Sequence, residues 1–179
     1  EQGAAIDVWG VGSKMVTAYD QPALGGVYKL SAVRGPGGQW EPRVKVSEQA
    51  AKVTTPGLLQ VRRFVDAAGA LVGDMLYDEL VPPGEPCVMV DPADPTRRTS
   101  YCGEHAAEEL LVPVFEGGRA VYEVPPLAET RERTAAQLAR LDPTHLRLLN
   151  PHTYKVGVEL GLYERKMALI MAARGIDTP

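Results

Sequence analysis

The chain has 179 residues and 19.3 kDa, with 45% apolar and 23% charged residues, so it is long enough to bury a core. Nineteen Lys and Arg against 23 Asp and Glu leave a net charge of −4 with the basic residues dispersed, which argues against a nucleic-acid or membrane-surface partner. No apolar run approaches the ~18 residues of a membrane span, and Cys87 and Cys102 lack the CxxC spacing of a zinc site or disulfide framework, so a soluble protein of a reducing cytoplasm is expected.

The chain opens on Glu1 rather than Met and without the features of a signal peptide, so it is expected to begin inside something larger. Ala4 to Trp9 is a short apolar, partly β-branched run that stops at Gly10-Val11-Gly12-Ser13; it predicts a buried strand, a tight glycine turn and one helical turn. Gly25 to Val33 predicts a second strand, and Gly35-Pro36-Gly37-Gly38 is turn chemistry leading into a third from Trp40 to Ser47. Leu59 to Val65 and Ala70 to Tyr77, joined by Asp66-Ala67-Ala68-Gly69, predict a second hairpin. Cys87 to Val90 is a short strand, Asp91 to Arg98 a Pro-rich loop, and Leu110 to Phe115 with Arg119 to Val124 a third hairpin around Glu116-Gly117-Gly118. After Pro125-Pro126 the apolar period changes. Leu127, Thr134, Leu138 and Leu141 share one side of a helix that ends before Pro143. A last helix runs from about Val158 to Ala173, apolar over a wide arc and expected to pack on several sides, with Gly175 as its stop.

Gly10-Val11-Gly12-Ser13 is the first candidate for chemistry, because glycines let backbone N–H groups approach a phosphate and a serine adds a hydroxyl donor. The alternative reading is a simple tight turn. Lys29 and Lys45 lie on opposite arms of the first predicted hairpin, and with Lys52, Arg43 and Ser47 nearby they could converge on an anion; otherwise they line a solvated strand face. His105, His145 and His152 lack ligand spacing and read as capping or packing residues. Asp91 and Asp94 read as turn residues, and both cysteines as inert thiols. No metal site is expected, and no residue of this chain is assigned a catalytic role.

The segments IDVWGVGS (Ile6 to Ser13), QPALGGVYKL (Gln21 to Leu30), RVKVSEQAAKVTTPG (Arg43 to Gly57), EELLVPVFEGGRAVYE (Glu108 to Glu123) and RLLNPHTYKV (Arg147 to Val156), in this order, closely resemble nicotinate phosphoribosyltransferase. The resemblance spans almost the whole chain and implies its carboxy-terminal part. The implied fold class is α/β with a largely antiparallel β extension: the end of an incomplete, TIM-like type II phosphoribosyltransferase barrel, followed by β-hairpins and C-terminal helices. Residues 1–24 would hold the last barrel strand and phosphate-binding turn, 25–124 the β-rich extension, and 125–179 a helical segment.

The resemblance further implies formation of nicotinate mononucleotide and diphosphate from nicotinate and phosphoribosyl diphosphate, in NAD salvage, with ATP hydrolysis through a phosphorylated histidine and with Mg²⁺. Carried over, Gly10, Val11, Gly12 and Ser13 would hold the ribose 5′-phosphate, and Lys29, Lys45 and Lys52 would reach the diphosphate. None of His105, His145 or His152 matches the phosphorylated histidine, which with the nicotinate-gripping arginine belongs to earlier barrel strands. The chain alone is therefore expected to be inactive, to need the missing N-terminal part, and to form a homo-oligomer through apolar surface left exposed around Ile6 to Trp9 and on the last helix. A non-catalytic assembly or interaction module derived from the family is the rival reading; a sibling enzyme acting on nicotinamide or quinolinate is a third.

Overall fold

The computed structural model describes residues 3, 5–17, 19–20, 27–49 and 52–176. Its centre is the second predicted hairpin, β3 (Leu59–Val65) and β4 (Leu71–Asp78), antiparallel with Leu59 opposite Asp78. The turn between them forms because Asp66 serves it twice. Its carboxylate accepts from the Ala68 and Ala70 N–H groups at 2.9 and 2.8 Å, and its carbonyl accepts from Gly69.

Four more strands complete a six-stranded mixed sheet. In chain order they are β5 (Cys87–Val90), β6 (Arg98–Tyr101), β7 (Ala106–Glu109) and β10 (Val156–Glu159), arranged β6-β5-β10-β4-β3-β7. β10 enters between β4 and β5, parallel to the first and antiparallel to the second, and is the sheet's one parallel pairing among the described residues. The C-terminal segment, expected to be helical, thus also supplies a central strand. Alternation puts Phe64, Met75, Tyr77, Met89 and Tyr101 together as a buried cluster on one face. On the other, Val90 and Val158 pack with Leu162 of the final helix, α3 (Leu160–Ala173), which sits against β5 and β10.

Two glycines are required by close approach. A Cβ on Gly157 would lie 2.5 Å from both the Met89 side chain and the Val90 carbonyl oxygen, and one on Gly73 would collide with the Tyr101 hydroxyl. That hydroxyl donates to the Val72 carbonyl at 3.2 Å, and the Tyr101 ring stacks on Phe64 at 3.9 Å.

Outside the sheet, several expectations are corrected. Residues 5–12 form no strand: Val8 is 85% and Trp9 67% exposed, and nothing among the described residues pairs with this backbone. Ala4 of that predicted strand lies outside the described residues, as do Gly25 and Gly26 of the next. The helical turn does form, as α1 (Ser13–Val16). The first hairpin is present but short, β1 (Ala32–Arg34) against β2 (Trp40–Pro42). The third shrinks to β8 (Phe115–Glu116) and β9 (Arg119–Ala120), leaving residues 110–114 and 121–124 without strand structure. α2 (Leu127–Leu138) follows Pro126 as expected, yet buries no residue. α3 packs on one side only, burying Leu162 and Ile170 while Met167 and Ala168 face outward. It ends as expected, with Gly175 in the left-handed region and the Gly175 and Ile176 N–H groups donating to the Ala172 and Met171 carbonyls.

Candidate functional site

The Gly10–Ser13 turn projects from the fold. Gly12 has φ −79 and ψ 165, ordinary extended backbone, and a Cβ at Gly10 or Gly12 would meet nothing within 4 Å. Neither glycine is demanded by this chain's own backbone or packing. The first helical bonds run from Met15 and Val16 to the Gly12 carbonyl, which leaves the Ser13 and Lys14 N–H groups without an acceptor among the described residues. The turn therefore offers donors and an unobstructed approach, and no residue of α1 is buried.

The three lysines are not gathered as the sequence suggests. The β1–β2 ladder ends near the bond from the Arg43 N–H to the Ser31 carbonyl, short of both Lys29 and Lys45. Beyond it Lys45 turns to a different neighbour: its N–H donates to the Thr54 hydroxyl at 2.7 Å, and the Thr54 N–H donates back to its carbonyl at 3.3 Å. This pairing brings Lys45 and Lys52 onto one loop and leaves Lys29 apart, on exposed backbone outside any strand. All three are exposed, and their ammonium groups have no partner among the described residues.

A fourth lysine, missed in the sequence because it sits within an apolar helix, reaches the same loop. Lys166 on α3 donates to the Thr55 hydroxyl at 3.2 Å, and burial pushes its ammonium below the usual lysine range. The loop is thereby tied to the sheet's covering helix.

The histidines are held by local contacts. His145 Nδ1 lies 2.8 Å from the His152 carbonyl, and the His152 N–H donates to Thr144; Asp142 caps this turn through the Thr144 N–H and hydroxyl. The segment then docks through Tyr154, whose hydroxyl donates to Asp74 at 3.0 Å. Asp74 also accepts a bidentate pair from Arg63 at 2.8 and 2.7 Å, with both side chains largely buried. Burial, then the Asp74 charge, raises the Tyr154 phenol above its ordinary range.

The donor sets bear on the expected Mg²⁺. Among the described residues the one group of three or more His, Cys, Asp and Glu side chains placed to share a metal is Cys102, Glu104 and His105. A sulfur and an imidazole do not suit Mg²⁺, which takes oxygen ligands, so that group is not a magnesium site.

Comparison with known proteins supplies the context. A family model described as the nicotinate phosphoribosyltransferase C-terminal domain matches residues 59–166, from the start of β3 into α3. A nicotinate phosphoribosyltransferase of Bacillus subtilis (strain 168) is 36% identical over 172 residues, covering 94% of this chain and 35% of that protein. One from Homo sapiens is 37% identical over 184 residues, covering 95% and 30%. The crystal structure of human nicotinic acid phosphoribosyltransferase superposes with a TM-score of 0.60 at 30% identity, over 85% of this chain and 27% of that one. The chain thus spans about a third of the length of the curated relatives it matches. The glycine turn and the three lysines lie outside the domain match.

Proposed function

Since the chain belongs to the nicotinate phosphoribosyltransferase family, matching its C-terminal domain, we propose that it works as the C-terminal part of an enzyme that joins nicotinate to phosphoribosyl diphosphate, releasing diphosphate, with ATP hydrolysis. The observation that carries this reading is the domain match over residues 59–166 falling on one continuous structural unit, the six-stranded sheet and its helix.

Displacement at the ribose anomeric carbon builds positive charge on the sugar and negative charge on the leaving diphosphate. A protein serves such a step mainly by fixing the two anionic ends. On this reading the Ser13 hydroxyl and the N–H groups of the Gly10–Ser13 turn take the 5′-phosphate; support comes from the unpartnered donors and the open space over both glycines. Lys45 and Lys52, on their shared loop, are the better-supported diphosphate contacts, with Lys29 approaching separately. The phosphorylated histidine, the nicotinate-binding arginine, ATP and Mg²⁺ belong to the rest of the enzyme, and the isolated chain is inactive.

The test is nicotinate mononucleotide formation by the complete enzyme carrying Gly12→Ala. A methyl group over the phosphate-binding backbone is expected to raise the KM for phosphoribosyl diphosphate about tenfold or more, the loss of one or two charge-assisted hydrogen bonds. Unchanged kinetics would remove the turn from the site. The rival assembly reading draws on the exposed apolar side chains of residues 111–127, among them Phe115 at 71%. It expects Gly12→Ala to leave partner binding untouched.

A further inference from the structure

The β6–β7 connection gathers three metal-ligating groups that sequence spacing hides. Cys102-Gly103-Glu104-His105 is neither a CxxC nor an HxxxH repeat, and as a string it reads as an ordinary polar turn. Folded, it closes on itself through the His105 N–H donating to the Cys102 carbonyl at 2.8 Å. The Cys102 sulfur then lies 3.7 Å from Glu104 Oε1, the His105 Nδ1 lies 3.9 Å from that same oxygen, and all three donor atoms fall within 4.8 Å of one another. We propose that this turn is a binding site for a thiophilic divalent cation, Zn²⁺ being the best match.

The geometry is close to what such an ion needs. Zinc–sulfur and zinc–nitrogen bonds of about 2.3 and 2.0 Å in a tetrahedron set ligand atoms about 3.3–3.7 Å apart. The observed spacings are met after a contraction that the exposed Cys102 and Glu104 side chains make by rotation. His105 is already held, its Nδ1 lying 3.3 Å from the Cys102 carbonyl, a contact that ligation exchanges for the metal. Its side chain is only 19% exposed and its ring stands edge-on to Tyr101 at 5.3 Å, while Tyr101 is fixed by its stack on Phe64 and its bond to Val72. A rigid imidazole with two adjustable anionic donors lowers the ordering cost of binding. The two anionic ligands, once the thiol is ionised, balance the charge of the ion.

The donor set selects the metal. Thiolate with imidazole favours Zn²⁺ over Mg²⁺ or Ca²⁺, which prefer all-oxygen shells. The turn borders a cavity of about 240 Å³ that Cys87 and Arg62 also line. Cys87, bonded to the Gly84 carbonyl at 3.3 Å, lies outside the group of donor atoms, so it is not the fourth ligand. Arg62 is paired with Glu109 at 2.6 Å, which limits its repulsion of a bound cation. The site thus has three protein ligands and leaves a fourth position for water or an exogenous donor. A metal there would clip the sheet's two edge strands, β6 and β7, together.

Cobalt titration of the metal-stripped full chain tests this without reference to any enzymatic activity. The expected result is one Co²⁺ per chain with a near-ultraviolet thiolate-to-cobalt band and tetrahedral visible bands, displaced by Zn²⁺ and not by excess Mg²⁺. Cys102→Ser should abolish the thiolate band. His105→Gln should weaken binding by about 100-fold or more, since even groups behind a ligand are worth about 10- to 100-fold. Cys87→Ser should leave the spectrum unchanged. Circular dichroism on each variant checks that the fold is kept. Absence of the band, its survival in Cys102→Ser, or its loss in Cys87→Ser would each overturn the site.

Discussion

Gly157→Ala probes the reason a strand from the far end of the sequence can occupy the middle of the sheet. β10 carries Gly157 beside Met75 of β4 and beneath Met89 of β5, where an added Cβ would lie 2.5 Å from Met89 Cγ, 3.0 Å from its sulfur and 2.5 Å from the Val90 carbonyl oxygen. Met89 is flexible in principle but is 5% exposed and wedged in the aromatic cluster; the Val90 oxygen is backbone and moves only with its strand. Overpacking of a filled core costs about 1–3 kcal/mol, and with one of the clashing atoms fixed in a strand the upper end, about 3 kcal/mol, is expected. For a chain of this size each kcal/mol moves the midpoint by about 2–4 °C, so Tm should fall by about 6–12 °C. Gly12→Ala is the matched control. Nothing lies within 4 Å of its new methyl, and reduced freedom of the unfolded chain should leave Tm unchanged or slightly higher. Thermal melts and urea titrations of the two variants give the comparison. A Gly157→Ala protein within about 0.5 kcal/mol of the parent, the range of inconsequential surface changes, would refute the claim that close packing demands this glycine.

Two further outcomes follow from the buried polar groups. Burial, reinforced by the Asp74 charge, pushes the Tyr101 phenol up to about 12, above its unfolded value near 10. Because the folded-state value is the higher one, the stabilising contribution is complete below about pH 10 and is lost as pH rises towards about 12. Stability measured across that window should decline, and Tyr101→Phe should flatten the decline; an unchanged slope would mean that Tyr101 is not buried as described. Asp74→Ala strips the acceptor from Arg63 and Tyr154 together, in a site where the ion pair's side chains are 14% and 13% exposed. A loss of about 2–4 kcal/mol in urea denaturation is expected, somewhat under the 3–5 of a wholly buried pair; a loss below about 1 kcal/mol would show that water replaces the carboxylate.

What was legible in the sequence is what short-range chemistry decides. β3 and β4 could be read because their apolar alternation flanks a turn whose Asp66 and Gly69 have local jobs, and α2 and α3 because Pro126 and Gly175 mark a start and a stop. β7 could not. Ala106–Glu109 is half acidic and exposed along its length, and its strand state rests on partners distant in sequence: Arg62 opposite Glu109 and Arg63 opposite Glu108, with Arg140 bonding Glu108 at 2.7 Å. β10 was hidden for a related reason, since Val158 and Glu159 run straight into an apolar helix. Glu159 marks the change by accepting from the Gly161 and Leu162 N–H groups at 2.8 and 2.6 Å. For the candidate site, the glycine turn was visible as a motif, but Lys166 was masked by its apolar helix and the Cys102–His105 group by irregular spacing.

The opposite error is as informative, because the runs read as strands that do not form here are apolar for a reason. Val8, Trp9, Val27, Tyr28 and Leu30 before the sheet, and Leu111, Val112 and Val114 after β7, have strand-like composition and are exposed in the structure. Alternation reports that one side of a segment is suited to burial; it does not report whether the covering surface is present. In β3 and β4 each strand covers the other, so pattern and outcome agree. In residues 5–12 no such surface lies among the described residues, and in residues 110–114 only Leu110 and Leu111 reach β3, through the Val61 carbonyl and the Gln60 side chain; the rest of both runs is exposed. The chain therefore divides between a sheet that satisfies itself and two apolar arms that do not. On the proposed function, the arms mark the faces that meet the rest of the enzyme, the first of them carrying the Gly10–Ser13 turn into the active site.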